Sequence, residues 1–208
     1  MEHEYSVLGG LNRASIGRYV MAASVIVAGL VSTLVGLVVA VLAESGLGIP
    51  PVVLWPVTSG AIYMGLYYLF EAYAWKMPKL SAVLRVPDLS GKWKCEGNSL
   101  SQGEGVPATV WRAEVTIVQS WDKIRIRLKT AQSGSNSIAA ALMYDKADGY
   151  RVLYNYKNEP GINESHLAAH RGFAELVFAP DLRSAQGDYF NGHGRYTFGT
   201  MTLTRVES

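Results

Sequence analysis

Side chains that bind anions cluster in one stretch of the C-terminal half of this chain. Hydroxyl and amide groups crowd the stretch from residue 130 to residue 137, which also contains glycine. Hydroxyls and backbone N–H groups donate hydrogen bonds to phosphate oxygens. The pattern therefore predicts a phosphate-binding loop, with an ordinary surface loop as the alternative reading. The candidate residues here are Thr130, Ser133, Ser135, Asn136 and Ser137.

Aromatic side chains supply the second kind of contact, flat surfaces on which rings stack. Trp121, Tyr154, Tyr156 and Tyr189 are the candidates, and stacking on a base contributes about 1–3 kcal/mol. Tyr154 and Tyr156 alternate with Asn155 and so share one face of a strand. The same pattern is typical of the aromatic core of a small barrel. Both interpretations stay open at this stage.

Asn158 has two interpretations of its own. Its amide is able to read the edge of a base, or it makes a turn before the proline that follows.

Basic residues divide into a regular row and two isolated positions. Arg125, Arg127 and Lys129 alternate with apolar residues, which predicts a solvated outer face of a strand. Arg171 and Arg195 instead stand beside polar and aromatic residues. One of them is expected to point inward as a phosphate partner.

Neither a metal site nor a catalytic site is predicted. His166 and His170 lack the intervening glutamate of a helical zinc motif and have no further ligand cluster nearby. His170 is therefore expected to line a barrel interior. Cys95 is a lone thiol, and the sequence contains no phosphate-binding glycine loop before a helix and no nucleophile elbow. We therefore predict no cofactor and no enzyme, since a hydrolase would need convergent acid, base or nucleophile groups.

The N-terminal third is expected to cross a membrane twice, with spans at about residues 19–43 and 50–73. The first uncharged run reaches about 37 Å as a helix, longer than the ~30 Å hydrocarbon core of a bilayer. That length argues against a cleaved signal peptide. Arginines precede the first run and basic residues follow the second, so both termini are predicted to be cytoplasmic. Gly29, Gly36 and Gly65 allow close helix approach, either within the hairpin or between copies.

The remainder, residues 87–208, is predicted to be a cytoplasmic all-β domain, and residues 1–86 to be the membrane hairpin with its flanking segments. Ile124, Ile126 and Leu128 alternate with basic residues, the pattern of a strand with one face in a core. The series continues as about eight short antiparallel strands joined by tight turns. Such a meander closes into a small barrel, with an open twisted sheet as the alternative. Trp93 is expected to plug the barrel core.

Composition narrows the partners and the compartment. A single cysteine fits a reducing compartment. The net charge of +2, without a basic tract, argues against binding to a DNA or RNA duplex.

Several segments together carry a resemblance to a known family. They are Pro87–Trp93, Trp121–Ser137, Tyr154–Pro160, His170–Gly172 and Gly187–Phe190. With the two membrane spans, they resemble the two-transmembrane, β-strand-rich effectors of cyclic-oligonucleotide-based antiphage signalling (CBASS).

The resemblance implies a barrel that senses a cyclic dinucleotide made by a partner nucleotidyltransferase after phage infection. In that family ligand binding drives homo-oligomerisation, and the membrane hairpins then disrupt the bacterial inner membrane. A membrane-tethered, lipocalin-like module for an apolar ligand or a protein partner is the alternative. The expected ligand-binding residues are Trp121, Thr130, Ser133, Ser135, Ser137, Tyr154, Tyr156, Asn158, His170, Arg171, Tyr189 and Arg195.

Overall fold

A computed structural model describes residues 1–46, 59–101, 108–164, 167–192 and 197–207. The chain forms two compact units, one of Met1–Gly10 with Lys76–Ser208 and one of Leu11–Trp75. The helices are α1 (Arg13–Glu44), α2 (Ser59–Ala72) and α3 (Pro78–Leu84), with a 3₁₀ turn at Ala74–Lys76. The strands are β1 (His3–Leu8), β2 (Gly91–Ser101), β3 (Thr109–Gln119), β4 (Lys123–Lys129), β5 (Ser133–Asp145), β6 (Gly149–Pro160), β7 (His170–Phe178), β8 (Ser184–Asn191) and β9 (Thr197–Arg205).

The helical unit contains a helix long and apolar enough to cross a membrane, α1. The Asn12 side chain caps its start by accepting a hydrogen bond from the Ala14 backbone N–H at 2.8 Å. Leu30, Leu34 and Leu37 are exposed along it, as expected of a helix that meets lipid. The predicted first span lies within α1. Residues 50–58 of the predicted second span lie outside the described residues, and α2 covers most of its remainder.

The β domain is a closed barrel, as predicted. Strands β2 to β9 follow one another as an antiparallel meander, and β9 returns to pair with β2. The alternation seen in the sequence sets the faces of β4. Ile124 and Ile126 are buried, while Arg127 and Lys129 are exposed on the outside.

A ninth strand, β1, comes from the N-terminal segment that the sequence analysis assigned to the membrane part. Strands β4 and β5 pair only from Arg127↔Asn136 to Lys129↔Gly134 and then diverge. Strand β1 occupies the opening, antiparallel to β4 and parallel to β5. Its backbone satisfies the ladder groups that the divergence would leave unpaired. A six-residue strand that is half polar carries little sequence signal. The predicted division into residues 1–86 and 87–208 therefore does not coincide with the two compact units.

One end of the barrel is filled by a packed core. Trp93 is fully buried and meets Phe178 edge-to-face, with ring centroids 5.5 Å apart. The Arg205 guanidinium lies over Trp93, 5.3 Å from the ring centroid. Buried Gln119 accepts from the Leu89 N–H at 2.9 Å and donates to the Pro87 carbonyl at 3.2 Å. The predicted core position of Trp93 is thus confirmed, and open space in the barrel is left toward its opposite end.

Candidate functional site

A cavity of about 270 Å³ lies toward the barrel end opposite Trp93. Eight of the residues expected to bind ligand line it, and they come from β5, β6, β7, β8 and the turn before β5. These are Thr130, Ser133, Ser135, Tyr154, Tyr156, Asn158, His170 and Tyr189. Their position in one cavity is what a shared ligand site requires. Their role in binding stays a prediction.

The deeper wall of the cavity is aromatic. The rings of Tyr154 and Tyr156 lie 6.0 Å apart between centroids, and Trp111 packs edge-to-face on Tyr189 at 5.7 Å. The Trp111 indole N–H donates to the Tyr189 hydroxyl at 3.1 Å. The Tyr156 hydroxyl donates to the Asn191 side-chain oxygen at 2.8 Å. These hydrogen bonds hold the rings in place, and so the wall offers preorganised flat surfaces.

Gly172 is needed for this arrangement. A Cβ atom at position 172 would lie 2.3 Å from the Tyr156 hydroxyl oxygen, which is closer than two non-bonded atoms can approach. Any larger residue there would push Tyr156 out of its position. The glycine of the predicted His170–Gly172 segment therefore has a packing reason.

A polar layer lies beside the aromatic wall. Ser135, Asn158 and His170 stand directly opposite one another across β5, β6 and β7, all with buried side chains that line the cavity. The Asn158 amide donates to the Ser133 hydroxyl at 3.2 Å. The His170 Nδ1 bonds the Ala168 carbonyl at 3.1 Å, and since a carbonyl only accepts, Nδ1 carries the proton and Nε2 remains for a ligand. The layer thus offers both donors and acceptors.

The side chains that line the cavity carry no permanent charge. Among the described residues around the cavity there is no lysine, arginine, aspartate or glutamate. Burial raises the pKa of the Tyr154 hydroxyl, with a smaller contribution from Tyr156, and keeps it protonated. An anionic ligand group would therefore be held by hydroxyl and amide groups rather than by an ion pair.

Three of the expected ligand residues lie elsewhere, and a fourth is outside the described residues. Trp121 is buried in the turn between β3 and β4, toward the filled end of the barrel. Arg171 is exposed, because it follows the inward His170 on a strand and must face the other side. Ser137 sits where β4 and β5 diverge. Arg195, like the metal candidate His166, lies among residues that the structure does not describe.

Ser137 has a structural role instead. Its hydroxyl accepts from the Ile126 N–H at 2.9 Å and bonds His3 Nε2 at 2.7 Å. These bonds take the place of regular ladder hydrogen bonds next to the β-bulge between Ser137 and Ala139. The predicted polar loop is correspondingly shorter than expected. Strand β5 begins at Ser133, and the Ser133 N–H bonds the Thr130 hydroxyl at 2.9 Å in a tight turn.

Sequence reasoning missed several cavity-lining residues. Trp111 could have been found from its alternation, because it shares the inward face of β3 with Val115 and Ile117. The others are five polar and three apolar residues spread over several strands and connecting segments. They are Ser99, Thr109, Gln132, Asn191, Thr197, Leu128, Leu167 and Met201.

Cys95 is a buried free thiol in the barrel interior. Burial, with a smaller contribution from the neighbouring Glu96 carboxylate, raises the pKa of this thiol to about 12. A thiol that stays protonated is a poor nucleophile.

We expect Cys95 to resist alkylation by iodoacetamide at pH 8 in the folded chain and to react fully after denaturation. The free energy of unfolding should also fall as the pH rises from 9 to 12, because the unfolded chain loses the thiol proton at its ordinary pKa of 9.0 and the folded chain does not. Cys95→Ala is the control and should remove this part of the slope. Rapid alkylation of the folded chain at pH 8 would contradict the expectation.

Comparison with known proteins adds three findings. The family model described as Cap15, cyclic dinucleotide receptor domain, matches residues 84–205. The model described as Cap15, TM helices, matches residues 14–76. The chain is also 45% identical to CD-NTase-associated protein 15 of Yersinia aleksiciae over 212 residues, which cover 99% of this chain and 98% of that protein.

Proposed function

Since this chain belongs to the Cap15 family of antiphage CBASS effectors, with a cyclic dinucleotide receptor domain and transmembrane helices, we propose that ligand binding in the barrel cavity drives oligomerisation and disruption of the bacterial inner membrane. The observation that carries this proposal is the pairing of an aromatic wall with a neutral polar layer in one cavity. The function follows in three steps, which are binding, assembly and membrane damage.

The binding step rests on matching chemistry. A cyclic dinucleotide presents two bases and two phosphates. Tyr154, Tyr156 and Tyr189 offer flat surfaces for the bases. The Ser135 hydroxyl and the Asn158 amide N–H offer hydrogen bonds to phosphate oxygens or base edges, and the Nε2 atom of His170 accepts a hydrogen bond from a base N–H. An apolar ligand would offer no hydrogen bond to the Ser135 hydroxyl or to the Nε2 atom of His170, a cost of about 1–3 kcal/mol for each buried group left without a partner, and so the polar layer favours a nucleotide over a lipid.

The membrane step rests on topology. Strand β1 precedes the helical unit and β2 to β9 follow it, yet all nine described strands form one barrel. The two ends of the helical unit therefore lie on the same side of a membrane, which requires an even number of crossings. Two crossings fit the match of residues 14–76 to transmembrane helices. Arg13 and Arg18 in the first turns of α1, with Lys76 and Lys79 after α2, support a cytoplasmic position for both termini.

The proposed role is that of a receptor and effector without catalysis. The buried thiol of Cys95 is held in its unreactive form. Duplex DNA or RNA is not a proposed partner, because the chain carries a net charge of only +2 and its lysines and arginines are interspersed with acids.

The test is thermal denaturation of the full chain in detergent micelles with a panel of cyclic di-AMP, cyclic di-GMP, cyclic UMP–AMP and, separately, fatty acids. A ligand at 100 times its dissociation constant should add about 2.7 kcal/mol of stability and raise the midpoint. The ligand that does so should also release dye from vesicles that carry the chain. A shift with fatty acids alone would instead support the tethered lipocalin-like module. Binding of a cyclic dinucleotide without dye release would contradict the membrane step.

A further inference from the structure

A row of apolar side chains crosses four neighbouring strands on the outside of the barrel. Phe173 of β7, Phe190 of β8, Phe198 of β9 and Leu100 of β2 stand directly opposite one another in the strand register. Phe190 is 54% exposed, Phe198 is 40% exposed and Leu100 is 37% exposed. The rings of Phe173 and Phe190 stack with centroids 5.6 Å apart. We call these four residues the outer aromatic row.

The outer aromatic row is unusual for the outside of a small barrel. Outward positions of an antiparallel sheet that faces water are ordinarily polar. A contiguous exposed apolar patch on a protein surface instead marks an interaction site. The row also borders a groove of about 460 Å³, which gives a partner side chain a place to insert.

Opposite charges flank the row on its two sides. Two residues along the strands in one direction, Glu175 of β7 stands opposite Asp188 of β8. Two residues in the other direction, Arg171 of β7 stands opposite Lys157 of β6. The surface is therefore an apolar centre with an acidic edge and a basic edge. Glu175 is paired with Arg151 and Lys157 with Glu159, whereas Asp188 and Arg171 make no ion pair within the described part of the chain.

We propose that the outer aromatic row is a contact surface for a second copy of this chain. Two copies related by a two-fold axis parallel to the row would bury their aromatic rows against each other. The acidic edge of each would then meet the basic edge of the other. The inference rests on the proposed function, whose assembly step needs a contact between protomers. An anionic lipid surface fits less well, because Glu175 and Asp188 would be repelled from it.

The same strands connect this surface to the cavity. Tyr189, Thr197 and Ser99 line the cavity and directly precede Phe190, Phe198 and Leu100 in the sequence. Because each cavity residue and its outward neighbour are adjacent on one strand, a ligand that moves the backbone at the cavity residue would also move its outward neighbour. The surface is thus placed where ligand binding can change its shape.

Charge reversal tests the proposal on the full chain in detergent micelles. The probe is an equimolar mixture of cyclic di-AMP, cyclic di-GMP and cyclic UMP–AMP, and the readout is the size distribution by analytical ultracentrifugation. Asp188→Arg and Arg171→Asp should each reduce probe-dependent assembly at least tenfold. The double variant, or an equal mixture of the two single variants, should restore it, because each reversed charge then meets an opposite one. Phe190→Ser should also lose assembly.

Thermal denaturation with the same probe separates the possible failures. All variants should keep the wild-type midpoint shift, since Asp188, Arg171 and Phe190 point away from the cavity. Single variants that assemble like the wild type would overturn the inference. Loss of the shift in Arg171→Asp alone would also overturn it, by returning Arg171 to the ligand site. A wild-type chain that binds the probe but never assembles would instead contradict the proposed function.

Discussion

Replacement of Ser135 by phenylalanine should abolish both the stabilisation of the chain by cyclic dinucleotides and its damage to membranes. Ser135 lines the cavity and is only 7% exposed, between Leu128 of β4 and Asn158 of β6 in the strand register. An inward phenylalanine ring there would occupy much of a cavity of about 270 Å³. It would also remove a hydroxyl from the polar layer. We expect no ligand-dependent rise of the denaturation midpoint and no dye release from vesicles.

The comparison must separate lost binding from lost folding. Overpacking a barrel interior costs about 1–3 kcal/mol, and so the midpoint without ligand should fall while the transition stays cooperative. Thr204→Phe is the matched control, because it makes the same kind of change at an exposed position on the outside of β9. It should keep the full ligand response. A ligand shift of wild-type size in Ser135→Phe would place the ligand elsewhere in the molecule.

The barrel was predictable from the sequence because its determinant is local. Alternation of apolar and polar residues sets the two faces of each strand, and tight turns such as Asp145–Gly149 set the order of the strands. Closure follows because a meander of this length removes its edges by pairing the last strand with the first. The prediction that Trp93 lies in the core rested on another local feature, its place shortly after Gly91 at the first strand of the meander.

What the sequence could not supply depends on contacts between distant segments. The place of β1 between β4 and β5 is fixed by a divergence of those two strands, which no local pattern encodes. The hydroxyl of Ser137 was expected to bind a ligand, but it accepts a hydrogen bond from the Ile126 N–H of β4 instead. Trp121 was also expected to bind a ligand but is buried. A large aromatic residue at a turn is equally compatible with stacking on a ligand and with burial, and the local sequence does not distinguish the two.

The outward position of Arg171 follows from its neighbour in the strand. His170 and Arg171 are adjacent in a strand, and adjacent strand residues face opposite sides. Once His170 was expected to line the barrel, Arg171 could have been assigned to the outside. Its outward position matters, because it leaves a cavity lined within the described residues by neutral groups and frees a cation for the basic edge of the outer aromatic row.

Arg85 connects the segment that follows β1 with the segment that follows α3. Its guanidinium donates to the Gly9 carbonyl at 2.5 Å and lies over the Tyr144 ring at 5.1 Å from the centroid. Gly9 directly follows β1, where the chain leaves the barrel, and Arg85 directly follows α3, before the chain enters the barrel again at β2.

Replacement of Gly29 by leucine should separate sensing from membrane damage. Gly29 lies in α1, and a Cβ atom there would meet no atom within 4 Å in the described part of the chain. A leucine preserves the apolar character of the span but prevents the close helix approach that small residues permit. If copies of the chain associate through this face, dye release from vesicles should fall at least tenfold. The ligand-dependent midpoint shift should stay at the wild-type value.

Val25→Leu is the matched control, because Val25 is exposed in the same helix and already carries a branched side chain. It should leave dye release unchanged. Unchanged release in Gly29→Leu would show that this glycine serves no contact between spans. Loss of the midpoint shift in Gly29→Leu would instead show that α1 influences the ligand site. The combination of Ser135→Phe, which removes binding, and Gly29→Leu, which spares it, tests whether the chain has two separable functional parts.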